Sequence, residues 1–344
     1  MRTRLTEEFG IHYPIVCAPM ALVTGGRLAA AVSSAGGLGL VGGGYAGTLG
    51  GEPELGQELA HVQGHKFGVG FITWALARVP HLLDEALSYS PLCVFLSFGD
   101  PRPFAERIRR NGAKLICQVQ SLRHVDQALE AGATIIVAQG SEAGGHGAKR
   151  STLPFVPEVA DYLARCSPTT LLLAAGGIAD GRGLAAALML GADGVVVGTR
   201  FWASAEALTP PAATDRAVHA TGDDTVRTKA LDAVRGVPWP DEFSFRVLSN
   251  KFTEQWAHRE TEAAAAFGSL ATIYAEARAR QDFDVMAIVA GECVGLIHDR
   301  PSAGSIVEAM VTQAKALLAR GATLDFGPRT ANPGLPQTGG SASR

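Results

Sequence analysis

The sequence predicts an α/β fold: a (β/α)8 TIM barrel with a mainly helical insertion, a lid, after the eighth strand. Three observations carry this expectation. Eight short apolar runs recur in the first two hundred residues, with helix-like segments between them. The runs are apolar throughout rather than alternating, as expected for parallel strands covered by helices. Eight βα units in about 200 residues suit a closed barrel better than an open sheet.

The strands are expected at 15–18, 38–41, 67–72, 92–97, 114–119, 134–137, 170–174 and 195–198. Helices at 102–111, 122–131 and 183–190 each end beside a glycine, Gly112, Gly132 or Gly191, the usual stop signal just past a helix. From Phe201 the rhythm changes. Pro210-Pro211 and Pro238-Trp239-Pro240 bracket an irregular stretch, and 251–280 reads as one or two helices rich in Ala and Glu. In 305–319, Ile306, Val307, Met310, Val311, Ala314, Leu317 and Leu318 fall at helical spacing and predict a closing helix. The expected organisation is therefore a barrel over 1–205 completed by a helix at 300–320, a helical lid over 206–299, and a flexible Gly/Pro/Ser/Thr-rich tail over 321–344.

Composition narrows the function. Apolar residues make up 47% of the 344 and charged residues 18%, against roughly 25% charged in an average domain. That excludes a disordered chain. A net charge of −3 leaves no electrostatic footprint for nucleic acid or an anionic membrane. The N-terminus has no apolar signal core, and the uncharged window 28–51 is too broken by glycines to span a bilayer. The five cysteines, Cys17, Cys93, Cys117, Cys166 and Cys293, are odd in number and contain no C-x-x-C, which points to reduced thiols in a cytoplasmic protein. Nothing in the sequence decides between a monomer and a homo-oligomer.

Several loops carry candidate chemistry. Gly42-Gly43-Gly44-Tyr45-Ala46-Gly47 has the G-x-G-x-x-G spacing of a dinucleotide loop, but the next strand ends without the acidic residue such a site needs. We read it as a turn. Gly176 and Gly177 follow the seventh strand, and Gly198-Thr199 follows the eighth. In barrels these two loops often build a phosphate site from free N–H groups, although Gly176-Gly177 alone could be just a tight turn. After the sixth strand, Gln139-Gly140-Ser141-Glu142-Ala143-Gly144-Gly145-His146-Gly147 presents an imidazole on a glycine-rich loop. A histidine there can take or give a proton near neutrality, whereas Glu142 reads as a structural carboxylate. Met20 could cover a ring or sit in the core. His298-Asp299 reads as surface, and Phe71, Trp74 and Trp202 hint at an apolar pocket. H-E-x-x-H, the P-loop and G-x-S-x-G are all absent, so no metal site, P-loop or nucleophile elbow is expected.

Assembled, these residues resemble the nitronate monooxygenase family, long called 2-nitropropane dioxygenases, which are FMN-dependent barrels. The matching stretches are Pro14-Ile15 with Ala18-Pro19-Met20, Gln139 through His146, Ala175 through Gly183, and Gly198-Thr199-Arg200-Phe201. The similarity continues through Phe252-Thr253-Glu254-Gln255-Trp256, Ala290-Gly291-Glu292 and Gly295-Leu296-Ile297, and so covers roughly residues 5 to 320. The resemblance implies that His146 is the active-site base, that Met20 lies against the flavin ring, and that Gly176, Gly177, Gly198 and Thr199 hold the FMN phosphate. It implies a flavin lining of Gln139, Ala143, Gly144 and Gly145, with Pro19, Gly70, Gln118 and Ala175 completing the cofactor set. The implied reaction takes a small-molecule nitronate, or a nitroalkane deprotonated by the histidine, and O2 to a carbonyl compound and nitrite. Two positions depart from the family pattern. Gly70 stands where many members have Asn, and Gln118 where some have Lys, which bears on flavin redox tuning. The alternative is an FMN-dependent enoyl-acyl-carrier-protein reductase using NAD(P)H, a group that shares the Glu142–His146 and Ala175–Gly181 motifs.

Overall fold

The structure, a computed structural model, describes residues 1–45 and 54–323. Ala46 and Gly47 of the glycine-rich turn, and the tail beyond Thr323, lie outside the described residues.

Runs that are apolar on both faces need cover on both faces, and here they are the strands of a barrel. In chain order the strands are β1 (Ile15–Cys17), β2 (Gly39–Gly42), β3 (Phe67–Ile72), β4 (Cys93–Ser97), β5 (Lys114–Val119), β6 (Ile135–Gln139), β7 (Gly145–Gly147), β8 (Leu171–Ala175), β9 (Gly194–Val197), β10 (Thr225–Thr228) and β11 (Ser244–Leu248). Eight of them form one parallel sheet in the order β1-β9-β8-β6-β5-β4-β3-β2. A bridge between Val16 and Leu38 joins its two ends: Cys17 N–H donates to Leu38 O and Leu38 N–H to Ile15 O, both at 2.9 Å. The eight expected strands all appear, with ends within two residues of the expectation.

Inward-facing residues alternate with outward-facing ones along each strand. Leu40, Phe95, Ile116, Val137, Leu173 and Val196 fill the barrel interior. The N-terminal helix Arg4–Phe9 plugs one end with Leu5 and Phe9, and Arg4 fastens it there by a forked pair of bonds to Asp193, at 2.8 and 2.7 Å. The opposite end, at the C-terminal ends of the strands, receives the next inward residues: Gln118 above Ile116, Gln139 above Val137 and Ala175 above Leu173.

The closing helix spans Ala303–Gly321 and buries Ile306, Val307, Met310, Val311 and Ala314. The segment expected as one or two helices forms three, Lys251–Trp256, Glu260–Ala265 and Phe267–Arg280. Tertiary contacts override helix propensity at the first break: Ala257 O accepts from the Thr228 hydroxyl at 3.1 Å, and the Glu260 carboxylate accepts from Lys229 N–H at 2.7 Å. The stretch expected to be irregular holds β10 and β11, and these join β7 in an antiparallel sheet ordered β10-β11-β7. The insertion is thereby hydrogen-bonded to the loop that carries His146. Among the described residues, no helix is long and apolar enough to cross a membrane, and no cluster could hold a metal.

Candidate active site at the open end of the barrel

His146 sits on β7, a strand of only Gly-His-Gly whose conformation is imposed by its partner β11. The register sets Phe245 directly opposite His146, and the two rings stack with centroids 4.4 Å apart. Trp239 covers the other face at 3.4 Å. Between these rings His146 is 5% exposed. Its Nε2 lies 2.8 Å from Asp232 Oδ2, which makes Nε2–H the donor and leaves the lone pair on Nδ1. Burial pulls the imidazole down to about 4, against the hydrogen bond and charge of Asp232, which push it up. The ring is therefore neutral at pH 7 and able to accept a proton.

Around it, the loop is held from both sides. Arg227 donates to the carbonyls of Ser141, Ala143, Gly147 and Ser244, and its guanidinium is lowered by burial only to about 10 and stays charged. Gln139 donates to His146 O at 3.1 Å and accepts from Gln118 at 3.1 Å and Gln120 at 2.8 Å. The Glu142 carboxylate accepts from Thr152 N–H and its hydroxyl at the start of helix Thr152–Cys166, the structural role expected of it.

His146 and every residue of the expected cofactor set line one cavity: Pro19, Met20, Gly70, Gln118, Gln139, Ala143, Gly144, Gly145, Ala175, Gly176, Gly177, Gly198 and Thr199. Its surfaces fit a flat ring system carrying a phosphate. At Gly70 a Cβ would lie 2.2 Å from Pro19 Cγ, so Pro19 occupies the space that a side chain such as Asn would need. Gly176 and Gly177 adopt φ of +99° and +73°, a backbone that L side chains rarely take. Their N–H groups donate to no described residue, and unpaired donors beside a cavity suit an anion. Thr199 Oγ1 accepts from Gly291 N–H at 3.0 Å, which fixes its hydroxyl at the edge of the cavity. Phe71 and Trp202 also line the cavity. Trp74 does not; it packs edge-on against Trp239 at 5.4 Å. His298 is exposed and Asp299 pairs with Arg200 at 2.8 Å, so that pair lies at the surface as expected.

The chain as a whole is similar to known proteins. The sequence profile of the nitronate monooxygenase family fits residues 2–66 and 73–313. The chain belongs to the nitronate monooxygenase family. Nitronate monooxygenases of Metarhizium robertsii and Neurospora crassa are 36% and 33% identical to it, over 88% of this chain in each case and 91% and 89% of theirs. Among solved structures, FabK from Thermotoga maritima superposes with a TM-score of 0.80 at 30% identity, over 94% of this chain and 99% of that one. A nitroalkane oxidase from Streptomyces ansochromogenes gives 0.73 at 27%, over 92% and 99%. In this nitronate monooxygenase family member, the residues that sequence reasoning missed are Asp232, Arg235, Arg227 and Phe245, all in the insertion. No motif marks them. Trp239 was visible only as part of a Pro-Trp-Pro bracket.

Proposed function

We propose that the protein is an FMN-dependent monooxygenase that converts alkyl nitronates, and nitroalkanes after deprotonation, to carbonyl compounds and nitrite with O2. The observation that carries this reading is His146: buried, tied to Asp232 through Nε2, and lining a glycine-rich cavity. FMN, when bound, supplies the electron acceptor and the chemistry with O2. Gly176, Gly177, Gly198 and Thr199 would hold its phosphate, while Pro19, Met20, Gly70, Gln118, Gln139, Ala143, Gly144, Gly145 and Ala175 would line its ring. Gln118 offers an amide dipole and no charge, so it stabilises a negative ring less than a lysine there would. Nδ1 of His146 takes the proton from the carbon next to a nitro group. Asp232 then stabilises the imidazolium formed, and Trp239 and Phe245 keep water from that proton. Four of the five thiols are buried and all five are unpaired, which supports a cytoplasmic location in the same reading.

A second reading, an FMN-dependent enoyl-acyl-carrier-protein reductase, is favoured by the FabK superposition. The test is nitrite release. The protein should purify yellow and release nitrite from a pre-formed nitronate in air with no pyridine nucleotide present. Flavin-loaded protein that forms no nitrite, or protein that takes up no FMN, would overturn the proposal.

A further inference from the structure

Arg235 is a buried cation whose guanidinium is only partly hydrogen-bonded. Its side chain is 10% exposed. Nη1 is buried without a hydrogen-bond partner, and so is Asp232 Oδ1, which lies 3.6 Å away, too far for a hydrogen bond. The guanidinium hydrogen-bonds Tyr45 and lies against ring faces, Tyr45 at 5.5 Å and Phe245 at 5.2 Å, but none of these satisfies Nη1. A buried guanidinium left in this state is costly unless a ligand completes it.

Its position says which ligand. Arg235 lines the cavity that holds His146 and also a second cavity beneath helix Phe267–Arg280. The two share a wall of Leu22, Trp202, Arg235, Phe245 and Val289. Beyond that wall the second cavity is apolar, with Leu208, Ala213, Ala271, Tyr274, Phe283 and Ile288 around it, and its charged lining residues are both arginines, Arg235 and Arg278. With arginine at its neck, apolar walls behind and, among the described residues, no carboxylate in its lining, the second cavity suits an anion with a hydrophobic substituent.

We propose that Arg235 receives the two oxygens of the substrate's nitronate group and that the second cavity takes an extended apolar substituent. The substrate class is then a nitronate bearing a long alkyl or apolar chain. The inference rests on the nitronate reading above. A nitronate is planar with its charge on two oxygens, the geometry that a guanidinium fork matches and an ammonium does not. Arg235 and His146 lie on either side of Asp232, so one carboxylate is neighbour both to the group that takes the proton and to the group that binds the anion formed.

Straight-chain carboxylates carry the same planar two-oxygen anion and cannot be turned over. Calorimetry of acetate, hexanoate and decanoate on the protein as purified should show affinity rising about threefold to fourfold per methylene. Arg235→Met should lower the affinity at least tenfold at every length and preserve the rise with length. Arg235→Lys, which keeps the charge beside Asp232, should recover only part of it, and in turnover should raise KM with little change in kcat or its pH profile. Ala271→Trp should remove the gain from hexanoate to decanoate and leave acetate alone. Unchanged carboxylate binding in Arg235→Lys and Arg235→Met would overturn the anion assignment, as would full recovery by lysine. Affinity independent of chain length would overturn the second-cavity assignment. If no nitronate of any length is turned over, the functional reading fails, while the carboxylate isotherms still decide this one.

Discussion

Replacing Asp232 by asparagine removes one charge and almost no volume beside His146. In the native protein the carboxylate accepts from Nε2–H at 2.8 Å, with side-chain exposures of 3% for His146 and 7% for Asp232. A hydrogen bond to a charged group is worth about 1.5–3 kcal/mol. In the step that abstracts a proton this bond strengthens as the imidazolium forms, so that its loss falls on the transition state. At 1.36 kcal/mol per tenfold, kcat/KM for a neutral nitroalkane should fall roughly 10- to 150-fold. The basicity argument has the same sign: Asp232 raises the pKa of His146 against burial, so its loss makes the base weaker. A pre-formed nitronate needs no deprotonation and should lose much less. The assay is steady-state nitrite release from both forms of one nitroalkane, with the melting temperature as a check on folding. Equal losses on the two substrates, or no loss on the nitroalkane, would refute the base–carboxylate account.

His146→Asn should likewise act far more on nitroalkane than on nitronate, measured in the same paired assay; equal losses would leave His146 a positioning group. Gly176→Ala places a Cβ 2.9 Å from Gly140 O at a φ of +99°, a strain of about 1–3 kcal/mol. It should lower the melting temperature and weaken FMN retention on dialysis. Acid should destabilise the fold through His146. Its folded pKa of about 4 lies below the ordinary 6.5, so the unfolded chain binds the extra proton between those values. This contribution is in place above pH 6.5 and about 3 kcal/mol is lost as the pH falls to 4. Urea titrations across that range should show the fall, and His146→Asn should flatten it.

The barrel was legible because each strand is an apolar run, and three of the intervening helices end beside a glycine, Gly112, Gly132 or Gly191. The candidate site was legible where residues that line the cavity fall on loops after consecutive strands, as at Gly176-Gly177 and Gly198-Thr199. It was illegible where one side chain depends on a distant one. β7 is three residues with no apolar alternation, and its strand character comes from β11, roughly a hundred residues later. Asp232 is one of many carboxylates in the chain, and only the folded insertion brings it to His146. Arg235 follows one helical turn after Asp232, and nothing in its neighbours reveals that it is buried. Gly70 was visible as a departure, but its cause, the Pro19 ring filling the space, needed coordinates.

The most direct test of the account is an anaerobic titration of the flavin-loaded protein, with a nitronate in one cuvette and NADH or NADPH in another, followed by flavin absorbance. The account predicts that the nitronate reduces the flavin and that neither nucleotide does. Bleaching by the nucleotide, with no response to the nitronate, would contradict it and place the protein with the reductases.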